Sequence, residues 1–251
     1  MSSEKTHAIV LRVIDFSETS CIVTLFTRDF GKIGALAKGA RRPKSPFESA
    51  LDLLAVCRIV FLHKSSDSLD LLTEAKLERR FRAAQQDLSR LYAGYYVAEI
   101  LREMTDTGDP HPELFRAADL TLEQLNREAP VASLVPWFEL TALRVLGHLP
   151  AFETCAACGR AIPASPGGRV PFGIRAGGVL CPACRPGQRH VIGVTRGAMT
   201  TLRRLAADRA GHDLPATVET ATRGEIRGVL NQYLGHLLGH PLRMHDELTH
   251  F

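Results

Sequence analysis

Six cysteines stand in this chain of 251 residues, and four of them form two pairs of identical spacing, Cys155-Ala-Ala-Cys158-Gly and Cys181-Pro-Ala-Cys184. Two residues between cysteines let both thiolates of a tight turn face one ion, and a small residue after the pair eases that turn. Two such knuckles, here 22 residues apart, can close the four-sulfur tetrahedron that Zn²⁺ takes at a Zn–S distance of about 2.3 Å. Loop-closure cost grows slowly with length, so a gap somewhat longer than the commonest ribbon spacing is tolerable. One structural Zn²⁺ held by Cys155, Cys158, Cys181 and Cys184 is the expected cofactor; free thiols and disulfides are the alternatives. Four thiolates leave no open coordination position, so the site reads as structural and not catalytic. Pro182 lies inside its pair and not before it, which does not fit the Pro-Cys-x-x-Cys of a nucleobase deaminase. Two Cys-x-x-Cys pairs are also better explained together than as a thioredoxin-like redox pair.

A second cluster of chemistry runs from Gly31 to Ser45. Lys32, Lys38, Arg41, Arg42 and Lys44 stand in it, and no acid occurs between Asp29 and Glu48. Gly39 beside Ala40 keeps the backbone open, and Pro43 bars continuation into a central strand. A strand ending in such a loop can lay its cations along phosphates without reading base sequence. An ordinary solvated charge cluster is the plain alternative. No Gly-Lys-Ser/Thr follows at the spacing of a phosphate-binding loop, and no nucleophile set or carboxylate pair stands out, so the chain is not expected to be an enzyme. Tyr92, Tyr95 and Tyr96, at helical spacing, read as core, as do Phe16, Phe26, Phe30 and Phe61, although an aromatic on a barrel face could stack bases. Cys21 and Cys57 read as small buried hydrophobes. His236, His240 and His245 read as exposed residues around a terminal helix, with a metal site as the weaker reading.

The elements that must position these groups change character along the chain. His7–Ile14, Cys21–Thr27, Ile33–Ala37, Val56–Leu62 and Leu69–Leu77 read as five short strands, the last two joined by a hairpin through Lys64-Ser-Ser-Asp-Ser. That many strands in so short a stretch predicts a small antiparallel barrel or sandwich. From Phe81 the period becomes helical, with Leu88, Leu91, Tyr92, Tyr95, Tyr96, Ile100 and Leu101 on one stripe. Further helices are expected over 112–127, 132–146, 195–208 and 218–238. Between them, Glu153–Arg189 is rich in Gly, Pro and Cys with little periodicity, and reads as an insertion with too little apolar mass to fold without a metal.

A hydrophobic fraction of 45% with 23% charged residues excludes global disorder. The net charge of +4 is uneven: +3 over residues 1–80, −4 over 81–150 and +5 over 151–251. Basic ends around an acidic middle direct attention to a polyanion partner. The longest apolar run, Leu53–Leu62, is interrupted by Arg58, so no membrane association is expected. Met1-Ser-Ser-Glu-Lys-Thr-His has no apolar signal core, which points to the cytoplasm.

Three stretches, in this order, resemble the bacterial recombination mediator RecO family: Thr6-His-Ala-Ile-Val-Leu-Arg…Phe16-Ser-Glu-Thr-Ser, the basic segment Gly31–Ser45, and Leu143-Arg-Val-Leu-Gly-His-Leu-Pro150 running into Cys155. The resemblance implies an α+β multidomain fold: an oligonucleotide-binding (OB-type) five-stranded antiparallel barrel over 1–80, a helical domain over 81–152 and 191–251, and a four-cysteine zinc module inserted at 153–190. It implies a non-enzymatic mediator of recombinational DNA repair that binds single- and double-stranded DNA, anneals strands, and works near the nucleoid. Its partners would be RecR and the single-strand-binding protein, whose tail would meet the helical domain, with a functional link to RecA. Lys38, Arg41, Arg42 and Lys44 match the family's basic segment and are the expected phosphate contacts, with Lys32 beside them. From the residues alone, an RNA-binding zinc-ribbon factor stays open, because phosphates do not separate DNA from RNA.

Overall fold

The computed structural model describes residues 2–47, 50–64, 68–83, 87–127, 129–162, 168–211 and 218–248. The chain divides into two compact units, residues 1–128 and 129–251.

The first unit opens with five strands: β1 (Ser2–Asp15), β2 (Cys21–Thr27), β3 (Gly31–Ala37), β4 (Val56–His63) and β5 (Asp70–Arg79). They close into a barrel in the order β1-β2-β3-β5-β4. The expectation of an antiparallel barrel holds at every seam but one. A ring of five cannot alternate direction all the way round, and the unavoidable parallel pair is β3 with β5, through Ala35–Asp70, Leu36–Leu71 and Ala37–Leu72. β3 buries every second residue, the period of a strand with one face inward. The interior combines Val23, Leu25, Ile33, Ile59, Phe61 and Leu72 with Ala8, Ala35, Ala37 and Ala75. Small residues beside large ones let so few strands curve around a filled core. Cys21 and Cys57 lie in that core as buried free thiols. Burial pushes the Cys57 thiol up to about 12, so it behaves as the small hydrophobe its strand position suggested.

Two helices complete this unit, α1 (Leu88–Met104) and α2 (Pro112–Asn126). Asp87 caps α1 by accepting from the Ser89 N–H at 2.9 Å, and Pro112 starts α2, where a missing N–H costs nothing. Phe26, fully buried, faces out of the barrel and stacks on Phe115 of α2 at 6.3 Å. Phe30 meets Phe61 edge-on at 5.3 Å, and Tyr96 is buried in α1, while Tyr92 and Tyr95 are half-buried. Phe16 departs from its expected place in the core: it is 61% exposed in the turn after β1, past the last strand residue that could aim inward. The middle of the expected β4–β5 hairpin, residues 65–67, lies outside the described residues.

The second unit is built on α3 (Val131–Val145), whose residues from Ser133 to Leu143 are all buried. Around it stand α4 (Arg196–Ala207), α5 (Thr220–Leu238) and the short α6 (Met244–Leu248). The buried Trp137 of α3 donates its indole N–H to the Asp208 carbonyl at 2.8 Å, closing the end of α4. Between α3 and α4 the sequence pattern gave no strands, yet β6 (Val170–Gly173), β7 (Gly178–Val179) and β8 (Val191–Val194) form a three-stranded antiparallel sheet ordered β7-β6-β8. Strands this short complete no alternation, and Pro171, Gly173, Gly178 and Gly193 disguise what remains. Phe172, fully buried, sets this sheet on the helices through an edge contact with Tyr233 of α5 at 6.3 Å. Among the described residues no helix is long and apolar enough to cross a membrane.

Candidate metal centre and nucleic-acid interface

The two knuckles are shaped by their own backbones. In the first, the Gly159 N–H returns to the Cys155 carbonyl at 2.8 Å, with Gly159 in the left-handed region at φ +72°. In the second, the Cys184 and Arg185 N–H groups both reach the Cys181 carbonyl at 3.0 Å. What brings the knuckles together is β7: the Ala156 N–H binds the Val179 carbonyl at 2.8 Å, and the Cys181 N–H points at the Cys155 sulfur at 3.3 Å. Gly178 makes that approach possible, since a Cβ there would lie 2.4 Å from the Ala151 carbonyl oxygen. On the other flank, the Arg203 guanidinium of α4 donates to the Phe152 carbonyl at 2.7 and 3.1 Å, pinning the approach to the first knuckle.

All four sulfurs lie within 4.8 Å of one another, and those of Cys158 and Cys181 are 3.9 Å apart. A tetrahedron with metal–sulfur bonds of about 2.3 Å has an edge of about 3.8 Å. The spacing therefore fits four ligands on one ion and is far from the ~2 Å of a disulfide. The proton affinities are split apart. Hydrogen bonding from the Cys181 N–H holds the Cys155 thiol down to about 6, whereas Cys184, hydrogen-bonded to the sulfurs of Cys181 and then Cys158, is pushed up to about 12. Four thiols this close cannot all ionise alone; a divalent cation would balance four thiolates. Among the described residues this is the one group of three or more metal-ligating side chains drawn together. Of the three histidines, His236 and His240 are exposed, as the sequence suggested, whereas His245 is half-buried.

The basic cluster splits in two. Lys38, Arg41, Arg42 and Lys44 are all exposed on the connection that follows β3. That connection is ordered by turn chemistry. Gly39 takes φ +70°, the Arg42 N–H closes on the Gly39 carbonyl at 3.0 Å, and Lys44 itself sits at φ +61°. Phe47, 2% exposed, fastens the far end into the barrel core. The near side is tied to the β1–β2 turn: the Arg41 N–H binds the Thr19 carbonyl at 3.0 Å, the Gly39 N–H reaches the Ser20 hydroxyl at 3.3 Å, and the Arg41 guanidinium pairs with Asp15 at 2.8 Å.

Lys32 is placed elsewhere. Its ammonium donates to the carbonyls of Arg102 and Thr105 at 2.6 and 2.5 Å, closing the C-terminal end of α1. Burial pushes its pKa down, with Asp106 and Glu103 acting in the opposite sense. Beside it Gly31 packs so tightly on the Asp109 backbone that a Cβ would lie 2.2 Å from a carbonyl oxygen. Lys32 thus joins the barrel to its helices and is not part of the exposed set. The contribution of the β1–β2 turn to holding the basic loop had no counterpart in the sequence reading. Its only trace there was an acid, Asp15, and two hydroxyl residues, Thr19 and Ser20, in a polar turn.

A closed barrel with an exposed basic loop, in a chain that also carries a four-cysteine centre among helices, defines a two-unit α+β protein with one candidate polyanion site and one candidate metal site. Residues 1–81 match the family model described as Recombination protein O N terminal, and residues 85–245 match Recombination protein O C terminal. The chain belongs to the RecO family. It is 45% identical over 260 residues to a protein of Rhodopirellula baltica named DNA repair protein RecO, covering 94% of this chain and 96% of that one. Proteins of the same name from Anaeromyxobacter dehalogenans (32% identical, 99% of this chain and 98% of that one) and Myxococcus xanthus (35%, 95% and 94%) are similar over almost the whole length.

Proposed function

We propose that this protein is a non-enzymatic, zinc-containing DNA-binding mediator of recombinational DNA repair. The observation that carries the reading is the exposed quartet Lys38, Arg41, Arg42 and Lys44 on an ordered loop of a closed barrel, in a chain that belongs to the RecO family throughout. We read the barrel as OB-type, on its five strands and its ring order. Its loop would neutralise phosphates of two strands or of a strand junction, which lowers their repulsion and favours annealing. The second unit would contribute a scaffold stabilised by one Zn²⁺ on Cys155, Cys158, Cys181 and Cys184. In that role the ion supplies folding energy and no chemistry. The helical part would hold the tail of the single-strand-binding protein, and with RecR the complex would assist RecA onto coated DNA. Holding a coating protein and DNA at once raises the local concentration of the complex where it is needed.

The test is direct. Purified protein should bind labelled single-stranded DNA, anneal complementary strands without nucleotide, and neither hydrolyse ATP nor cut DNA in Mg²⁺. Competition by RNA of the same sequence that displaces DNA at much lower concentration would favour an RNA-binding factor. An ATP requirement intrinsic to the chain would overturn the mediator reading.

A further inference from the structure

The turn that holds the basic loop, with the strand end leading into it, leaves large apolar side chains exposed. β1 pairs with β4 only from Ser2 to Ile9, while its pairing with β2 continues to Asp15 after a bulge between Val10 and Arg12. The end of β1 is therefore an arm bound on one side only. On it Val13 is 39%, Ile14 41% and Phe16 61% exposed. Single exposed apolar residues are ordinary on protein surfaces. Val13 lines a cleft with Arg41, Phe47 and Leu51, and Ile14 alternates to the other face of the strand; the ring that ends the run stands on the turn tied to the cationic loop. The ring is not on a slack segment. The N–H groups of Phe16 and Ser17 both bind the Ser20 carbonyl, at 3.0 and 3.2 Å, and the Ser20 N–H returns to the Ser17 hydroxyl at 3.2 Å. Phe16 follows Asp15, the partner of the Arg41 guanidinium, and Thr19 and Ser20 accept from the loop backbone.

An exposed ring on a turn that is hydrogen-bonded to a cationic loop offers partners to the two halves of a nucleotide, an unpaired base and a phosphate. We propose that Phe16 is a base-stacking platform for single-stranded DNA, set beside the phosphate-contacting loop. The inference rests on the DNA-binding reading above and adds to it a preference. Bases inside a duplex already stack on each other and offer no free face, so the ring works only on unpaired strands. Phosphate contacts from the loop serve both forms.

The experiment uses the full chain and three fluorescein-labelled probes of equal length: oligothymidylate, an abasic phosphodeoxyribose strand, and a duplex. Wild-type protein should bind oligothymidylate more tightly than the abasic strand. Phe16→Ala should weaken oligothymidylate binding about tenfold, the range of one lost base–aromatic stack. Its affinity for the abasic strand and the duplex should not change. Phe16→Leu keeps apolar bulk without a π face and should lose as much as the alanine variant; Phe16→Trp should restore binding, with indole emission quenched by thymine. Equal weakening on all three probes would show that Phe16 only shapes the turn, and would overturn the proposal. So would unchanged binding, or a change in self-association without a change in the ratio of oligothymidylate to abasic affinity. Failure of the wild-type protein to bind any probe is a different result, and removes the DNA-binding reading itself.

Discussion

The barrel and the metal module each hold a loop in a defined place, and they do it with opposite materials. In the barrel, Phe61, Ile59, Leu25 and Leu72 fill a closed ring of strands, and the cations Lys38, Arg41, Arg42 and Lys44 take no part in that core. In the module, the buried cluster around the knuckles consists of Cys155, Leu180 and Cys181, with Ile162, Ala176, Cys184 and Val191 half-covered at its edge. Two of its three buried members belong to the four-cysteine cluster that could hold a metal ion. Where apolar mass is plentiful, exposed side chains are expected to be removable without loss of fold; where it is scarce, the candidate ligands are themselves the core.

The sharpest break in this comparison is the loss of one sulfur. Cys158 is the exposed member of the four, so Cys158→Ser removes a ligand while disturbing little packing. Structural zinc contributes on the order of 10–16 kcal/mol to folding small modules. The variant should fall from about one equivalent of zinc to none, and proteolysis should cut within 153–190 while fragments of the barrel persist. Metal analysis and mass spectrometry of the digest check both. Native protein without metal, its four thiols freely alkylated, would reverse the comparison.

The complementary change is Phe61→Ala in the barrel, where Phe61 is fully buried. Removing a core phenyl group costs about 3–5 kcal/mol. The unfolding midpoint of the first unit should drop while zinc stays bound to the second. If zinc release and barrel unfolding fall together, the two regions do not fold by separate means.

Legibility in the sequence followed the same division. The five strands could be read because each has a long enough run, as β3 does with its alternating burial, and the gathering of the four cysteines because two Cys-x-x-Cys pairs are best explained together. The sheet β6–β8 was hidden: strands of two to four residues interrupted by Pro171 and glycines leave no period to detect. Lys32 reads as one of its basic neighbours because sequence records charge but not the Arg102 and Thr105 carbonyls that receive it. Phe16 reads as core by residue type alone, whereas its neighbours Asp15, Ser17 and Glu18 signal a solvated turn.

Lys32 gives a smaller effect that separates a structural cation from an exposed one. Hydrogen bonds from a charged donor are worth about 1.5–3 kcal/mol, but the burial that lowers its pKa offsets part of that gain. Lys32→Met keeps the aliphatic stem and should destabilise the first unit by about 1 kcal/mol, seen in chemical denaturation. The salt dependence of DNA binding should stay as in the wild type. A shallower salt slope with unchanged stability would place Lys32 among the phosphate contacts after all.

The smallest effect on stability and the clearest on binding belongs to the loop. Arg41 is half-exposed, and its pair with Asp15 stands in water, where such pairs contribute about 0–1 kcal/mol. A phosphate can therefore take the guanidinium from Asp15 at little cost. Each phosphate neutralised on a single strand contributes about −0.7 to the slope of log affinity against log salt, so Lys38, Arg41, Arg42 and Lys44, contacting one phosphate each, would together account for roughly −2.8. Arg41→Ala with Arg42→Ala should make the slope shallower by about 1.4. Affinity should fall by a similar factor for unrelated sequences, since phosphates carry no base identity. The denaturation midpoint should not move, because Phe47 and the Gly39 turn hold the loop independently of both guanidinium groups. Slope and affinity both unchanged would reduce the quartet to a solvated charge cluster and leave the comparison with only one functional side.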